Sequence, residues 1–312
     1  MPSPPKIHFV RHAQGFHNLG DSHIRDPNIT PLGENQCAKL QEQHFPPEQQ
    51  HSISLITSSP LTRTLQTAFL TFKPALTTKG AKCDPIILAI PDAQETSDYP
   101  CDTGSDIPVL QALIKKHNWP VDISLLTPAW NIKTMDSRNS PTSPKLILRA
   151  IECRKLLREK ARELANKGDE DVEIICVTHG GYLHYLTEDW EDAAKFSGTG
   201  WENTEYRTFE FANSFLSDTD EAASLKETMP SRARRGIDYP QLDAAKQDLF
   251  FKKMLKSWED QDKLNAKDKE NKNVSEQHGQ QPADLERQVT KAADEAEKTV
   301  INTQAQSVKV TA

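Results

Sequence analysis

Three apolar segments of the sequence each run directly into charged or glycine-rich residues. The three segments are 7–10 (IHFV), followed by Arg11 and His12; 53–57 (ISLIT), followed by SSPLTR, which ends at Arg63; and 172–178 (VEIICVT), followed by His179. Short apolar runs bounded by turn residues are typical of buried parallel strands. The carboxyl ends of such strands lie at one edge of an open α/β sheet, where ligands bind. The sequence therefore predicts an α/β fold with these four side chains at one edge.

Two guanidinium groups and two imidazole rings at one edge favour the binding of a dianion. Arginine presents a planar fork of donors to phosphate, and histidine can attack phosphorus or carry a proton. Gly180 and Gly181 follow His179 and allow backbone amides to approach a ligand. A single Arg-His pair or one histidine at a strand end is more often structural. Four such groups after three strands instead predict a catalytic phosphate site that also uses the amide of Gly180.

The motifs resemble those of a known family. RHAQG at 11–15 with Asn18, SSPLTRTLQTA at 58–68 and VTHGG at 177–181 occur in the order and at the separations found in the histidine phosphatase superfamily, phosphoglycerate mutase-like branch. Within that branch the chain resembles the fungal phosphoglycerate mutase-like proteins. The resemblance spans roughly residues 6 to 211. It implies a three-layer α/β/α sandwich around a mostly parallel sheet.

The resemblance also implies a role for each matching residue. His12 corresponds to the histidine that becomes transiently phosphorylated, and Glu95 matches the proton donor. His179 matches the late histidine and is the third predicted catalytic residue, which also lines the phosphate pocket. The matching phosphate-binding residues are Arg11, Asn18, Thr30, Arg63 and Gly180. Two of these assignments leave a structural alternative open, because Asn18 also fits a turn and Thr30, which precedes Pro31, also fits a helix cap. The identity of the proton donor is open as well, because the same predicted loop contains three other carboxyl groups, those of Asp92, Asp98 and Asp102.

Two departures from the family pattern bear on the reaction. Ala13, Gln14 and Gly15 replace the commoner glycine and acidic residue after the histidine, which removes a charge near the pocket. True mutases carry a Glu-Arg-His-Tyr-Gly segment and, later, paired arginines that hold a carboxylate-bearing phosphosugar acid. Here TSDYP follows Glu95 instead. Without the cations of those segments, no group is evident that would bind a second anionic group of the substrate. The sequence thus predicts a phosphomonoester hydrolase, an enzyme that acts through a phosphohistidine on a small phosphorylated metabolite. The alternatives are a phosphoglycerate mutase and a non-catalytic, phosphate-binding regulatory protein.

Charge and composition exclude several classes of binding partner. The net charge is −7, whereas nucleic-acid binding relies on a basic surface. The basic run at 232–235 (RARR) is expected to be a solvated loop or a protein-docking motif. No segment reads as a membrane span or secretory signal. The five cysteines lack metal-ligand spacing. We therefore expect no metal, cofactor, nucleic acid or membrane partner, and reduced thiols in the cytoplasm, with the nucleus as an additional location. Oligomeric state is not predictable.

Periodicity divides the chain into elements and domains. A helix is expected from Pro60, with Ser59 as its N-cap, and a half-exposed edge strand at 205–211. The long 118–142 segment is expected to cover the mouth of the site. Residues 1–258 form the predicted histidine phosphatase domain, with an insertion and closing helix at about 212–258. Residues 259–312 are predicted to be a charged, partly helical or disordered tail.

Overall fold

The computed structural model describes residues 2–193 and 199–258. Most of them belong to one compact unit with bounds Met1–Lys253. The polar tail predicted from residue 259 lies outside the described residues. The proposed boundary at 258 and the character of the tail therefore stay predictions.

A seven-stranded sheet forms the centre of this unit. Its strands are β1 (Lys6–Arg11), β2 (Leu55–Ser58), β3 (Ile87–Ala89), β4 (Val121–Asp122), β5 (Glu173–Thr178), β6 (Tyr206–Phe211) and β7 (Leu225–Glu227). Their order across the sheet is β4-β3-β2-β5-β1-β6-β7. The first five in this order pair in parallel, and β6 runs antiparallel to both β1 and β7. The mostly parallel α/β sheet predicted from the sequence is confirmed.

Helices connect the strands in the α/β manner. They are α1 (Pro31–His44), α2 (Thr62–Thr71), α3 (Lys73–Thr77), α4 (Ile107–His117), α5 (Ser143–Asn166), α6 (Gly180–Thr187), α7 (Met229–Arg234) and α8 (244–258). One apolar core lies where α2 packs on the sheet and includes Val10, Ile56, Leu65 and Val177. Side chains alternate between the faces of a strand, so Phe9 and Cys176 of the central strands point to the opposite face, where they are also completely buried.

The register places the functional motifs at one edge. Arg11, the last residue of β1, pairs with Thr178, the last residue of β5. Ser58, the last residue of β2, pairs with Val177 of β5. The residues that follow these three strands therefore emerge side by side, which is the arrangement the sequence predicted.

Two local predictions are wrong. The strand at 206–211 is not an edge strand, because the short β7 pairs with its outer side. Helix α2 begins at Thr62, after extended residue Leu61, and Ser59 is not its cap. Asp26, from the loop after β1, accepts hydrogen bonds from both the amide and the hydroxyl of Thr62, at 2.8 and 2.9 Å. A carboxylate distant in sequence thus replaces the expected local cap.

The basic run at 232–235 is not a solvated loop. It lies largely on α7, where Arg232 is fully buried and forms ion pairs with Glu191 at 2.9 Å and Glu227 at 3.3 Å. Arg235 forms ion pairs with Glu227 and with Asp192, each at 2.5 Å. These charges stabilise the packing of α7 against the sheet edge. A docking role would require them to be exposed.

Two further observations concern membrane-spanning helices and disulfide bonds. No helix among residues 2–193 and 199–258 is long and apolar enough to cross a membrane. All five cysteines are free and buried, so no disulfide links the elements.

Candidate active site

His12 lies directly after β1 and is almost completely buried. Its Nδ1 is 2.7 Å from the carbonyl oxygen of Ala13. A carbonyl can only accept, so Nδ1 carries the proton and Nε2 keeps its lone pair. Burial, together with the positive charges of Arg63 and Arg11, lowers the pKa of His12 well below its usual value. The ring is therefore neutral, with a nucleophilic Nε2.

Arg63, in the first turn of α2, connects the second and third motifs. Its terminal nitrogens donate to the carbonyl of Cys101, to Asp102 at 2.9 Å and to Nδ1 of His179 at 3.0 Å. Asp102 is itself held by the hydroxyl of Ser97 at 2.6 Å. The guanidinium is completely buried and fixed in direction, as a preorganised cation must be.

Arg11 supplies a second cation. One of its terminal nitrogens donates to the carbonyl of Trp201. Its Nε and the Nε of Arg63 are both buried and have no hydrogen-bond partner among the described residues. Buried polar atoms are nearly always paired, so two unpaired guanidinium donors beside the same histidine point to an anionic ligand.

His179 completes the set of side chains predicted from strand ends. Its ring centroid lies 5.2 Å from that of His12, at 60°. Its Nδ1 faces Arg63, and its Nε2 lies 2.9 Å from the hydroxyl of Ser59. Burial, followed by the charge of Arg63, lowers the pKa of His179 well below its usual value. The structure thus brings together His12, His179, Arg63 and, at their edge, Arg11.

Glu95 lies at the N-terminus of α6. Its carboxylate accepts hydrogen bonds from the amides of Tyr182 at 2.8 Å, Gly181 at 3.3 Å and Thr96 at 2.9 Å. A Cβ at position 181 would lie 2.9 Å from Glu95 Oε1, so this close approach requires glycine there. Burial and the nearby charge of Asp102 raise the pKa of Glu95, despite the opposing effect of Arg63. A raised pKa suits a group that must donate a proton near neutrality.

The neighbouring acids have other partners. Asp92 forms a two-pronged ion pair with Arg138, and Asp102 holds Arg63. Asp98 is exposed. Among the four carboxyl groups that the sequence left open, Glu95 alone combines burial with a raised pKa and no ion pair among the described residues. The role of Glu95 as the acid stays a prediction.

The remaining predicted site residues have structural hydrogen bonds. Thr30 caps α1 through its hydroxyl, which accepts from the amide of Gly33 at 3.1 Å and donates to Gln14 at 2.8 Å. Asn18 Oδ1 accepts from the amide of Gly15 at 3.0 Å. Gly180 is the first residue of α6, where amides point out of the helix end. Their phosphate contacts stay predictions.

Two residues that hold the site together were not predicted from the sequence. Lys133, from the 118–142 segment, is buried and donates to the carbonyls of Glu95, Ser97 and Asp102, each at 2.7 Å. Burial lowers its pKa to about 7. Asp26 joins the loop after β1 to α2, as described above. No motif marks either residue, because each acts on backbone groups distant in sequence.

A metal site is not apparent in the described part of the chain. Among those residues, no group of three or more His, Cys, Asp or Glu side chains is arranged to hold a metal ion. The carboxyl groups of Glu95 and Asp102 bind backbone amides and Arg63 respectively. The cationic groups of the site instead match a phosphoryl group.

Several known proteins and one family are similar to this chain. A family model described as histidine phosphatase superfamily (branch 1) matches residues 7–77. A phosphoglycerate mutase-like protein of Arabidopsis thaliana is 26% identical over 268 residues, which cover 75% of this chain and 93% of that protein. Phosphoglycerate mutase-like protein 1 of the same plant is 25% identical over 278 residues, with coverages of 75% and 89%. A solved phosphoserine phosphatase variant of Entamoeba histolytica, in complex with phosphoserine, is 18% identical, covering 72% of this chain and 95% of that one, with a TM-score of 0.40.

Fold and site together form an α/β structure in which two buried histidines and two arginines lie at the carboxyl ends of parallel strands. Over residues 7–77 the chain is similar to the histidine phosphatase superfamily, and over most of its length it is similar to phosphoglycerate mutase-like proteins, the resemblance that its three motifs predicted.

Proposed function

We propose that the protein hydrolyses a phosphomonoester of a small metabolite through a phosphohistidine at His12. The observation that carries the proposal is the hydrogen bond from His12 Nδ1 to the carbonyl of Ala13, 2.7 Å long, which leaves Nε2 as a free nucleophile in a buried cationic pocket. The unpaired Nε groups of Arg11 and Arg63 supply donors for the phosphoryl oxygens.

In the first step Nε2 of His12 attacks phosphorus, opposite the ester oxygen. The P–N bond forms as the P–O bond to the leaving group breaks, and protonated Glu95 gives its proton to the departing oxygen. Arg11, Arg63 and His179 hold the charge on the phosphoryl oxygens. Phosphoryl transfer depends mostly on such positioning and neutralisation.

In the second step a water molecule attacks the phosphohistidine. Its oxygen forms the new P–O bond, its proton passes to the carboxylate of Glu95, and the P–N bond returns its electron pair to His12. Glu95 thus alternates between acid and base, which its raised pKa favours. Inorganic phosphate leaves, and the enzyme regains its starting protonation state.

A hydrolase accounts for the site better than a mutase. The segment after Glu95, residues 96–100, contains no arginine or lysine. The ammonium group of Lys133, which does lie near, is already bound to three backbone carbonyls. A substrate with a second anionic group therefore has no cation to hold it in this loop.

The test is phosphate release from a panel of phosphorylated metabolites by the full-length protein. We expect release from at least one of them by the wild type and none above background by His12→Asn. His23→Asn, in the exposed loop after the first motif, is the matched control and should behave as wild type. Isomerisation of a phosphoglycerate without phosphate release would select the mutase. Phosphate binding without turnover would select a regulatory protein.

We also propose that the protein works in a reducing compartment, the cytoplasm or nucleus. Five free, buried cysteines support this location. Imaging of the tagged protein in cells would test it, and secretion of the protein would contradict it.

A further inference from the structure

A third imidazole lies beside the nucleophile. His17 is on the single-turn helix Phe16–Leu19 that follows the first motif. Its ring centroid is 5.4 Å from that of His12, with the planes inclined at 49°. This separation is close to the 5.2 Å between the rings of His12 and His179. His17 therefore belongs to the same site, although the family pattern assigns it no role here.

One ring nitrogen of His17 is unsatisfied. Its Nδ1 is buried and has no hydrogen-bond partner among the described residues, which is also true of Nε of Arg11 and of Arg63. A buried nitrogen without a partner is unfavourable. Three such nitrogens around one nucleophile form a set of donors, and phosphoryl oxygens are the acceptors that the pocket is built to hold.

The charges around His17 keep it neutral. Burial, followed by the charge of Arg63, lowers the pKa of His17 to about 3, although Asp102 opposes this effect. A neutral imidazole retains one N–H. His17 can therefore donate a hydrogen bond to an oxyanion without adding another positive charge to Arg11 and Arg63.

Gly15 leaves room for this ring. A Cβ at position 15 would lie 2.8 Å from both Cε1 and Nδ1 of His17. The backbone of Gly15 has φ −99° and ψ 163°, an extended conformation that any residue adopts. The main clash of a side chain at this position is thus with the His17 ring, and the next nearest atom, the carbonyl oxygen of Asn28, is 3.3 Å away.

We propose that His17 is a substrate-binding residue, whose Nδ1–H donates to an oxygen of the phosphoryl group held over His12. The inference rests on the proposed function, since it concerns the same phosphate pocket. It adds to that function a donor that is neutral and comes from the loop after the first motif.

The first experiment separates hydrogen bonding from packing at position 17. Phenylalanine keeps a ring but has no donor, whereas asparagine loses the ring but keeps an amide near the position of Nδ1. Binding of inorganic phosphate is measured by calorimetry on the full chain, beside kcat and KM for phosphate release. For His17→Phe we expect Kd and KM to rise about tenfold or more, as for a lost hydrogen bond to a charged group. His17→Asn should retain most of the affinity, and His23→Phe, the matched control, should match wild type.

The second experiment displaces the ring without changing it. Gly15→Ala should raise the Kd for phosphate in the same direction as His17→Phe. The double variant Gly15→Ala/His17→Phe should be little worse than His17→Phe alone, because both changes remove one contact. The single variant Gly15→Ala leaves His17 intact, so it still tests the proposal if His17→Phe folds poorly.

The outcomes separate the two proposals. A wild-type protein that neither binds phosphate nor releases it from any ester contradicts the proposed function. An active wild type whose His17→Phe variant keeps the same Kd and KM overturns the role of His17. The same conclusion follows if His17→Phe retains phosphate affinity while His17→Asn loses it, since that pattern indicates packing.

Discussion

Arg63 donates a hydrogen bond from a terminal nitrogen to Nδ1 of His179 over 3.0 Å. A guanidinium group cannot accept, so His179 accepts at Nδ1 and carries its proton on Nε2, which lies 2.9 Å from the hydroxyl of Ser59. Two motifs separated by more than 100 residues thus fix one tautomer. The second histidine is therefore set as a neutral donor before substrate arrives, which is the condition for preorganised charge stabilisation.

Asp102 holds Arg63 in this position, so its charge should affect catalysis without contact to substrate. We expect Asp102→Asn to lower kcat/KM by about tenfold to 100-fold, in line with about 1.5–3 kcal/mol for a hydrogen bond to a charged group. Steady-state kinetics would measure this. Asp98→Asn changes an exposed carboxylate of the same loop and is the matched control. Equal activity of the two variants would show that Asp102 does not orient Arg63.

Glu95→Gln should slow the release of poor leaving groups by about 10²–10⁴-fold, the usual contribution of general acid catalysis. Alkyl phosphates should therefore suffer more than aryl phosphates, whose leaving groups need less protonation. Parallel assays with both ester classes would measure this difference. An equal loss for both would argue that Glu95 acts only in positioning.

The raised pKa of Glu95 also predicts the direction of the pH dependence. The protonated acid is present below this pKa, so phosphorylation of His12 should slow as the pH rises through it. Because folding raises the pKa, the stability linked to this carboxyl is complete below its unfolded pKa and declines as pH rises toward the folded one. Glu95→Gln should abolish both effects. Rate and unfolding profiles that keep their shape in the variant would assign them to another group.

Arg232 is expected to contribute to the stability of the fold. Replacing this fully buried guanidinium by methionine removes its ion pairs with Glu227 and Glu191. Because Arg235 still pairs with Glu227, the expected loss in the free energy of unfolding is about 3 kcal/mol, the lower end of the range for breaking a buried ion pair. Arg234→Met is the control, because Arg234 is exposed and lies over the ring of Tyr206 at 4.4 Å. Its expected loss is about 0.5–1 kcal/mol. Urea unfolding of both variants measures the difference, and similar values would contradict the buried network.

Much of the fold could be predicted because its signals are local. The apolar runs that became β1, β2 and β5 end in the motifs, and the parallel register aligns those ends. The caps were less predictable. Ser59 is a residue type that is common at N-caps, yet Asp26 accepts the hydrogen bond from the amide of Thr62. A tertiary contact thus replaces the local cap at the start of α2.

The site residues could be predicted only where the residue type itself suggests catalysis or phosphate binding. His12, Arg63 and His179 follow strands, and charged residues at strand ends are a recognisable pattern. Lys133 looks like any surface lysine in the sequence, and its three carbonyl partners come together only in the folded chain. The run RARR at 232–235 misleads for a related reason, because the acids that neutralise Arg232 lie in other elements.

The central claim is that His12 forms a covalent bond to phosphorus. Rapid quenching of the full-length enzyme with a ³²P-labelled phosphomonoester tests it most directly, followed by mapping of the labelled peptide. We expect a label that is lost in acid, survives base, maps to His12 and is absent from His12→Asn. A label that survives acid and maps to Ser58 or Ser59, or turnover by His12→Asn within a few-fold of wild type, would contradict the account.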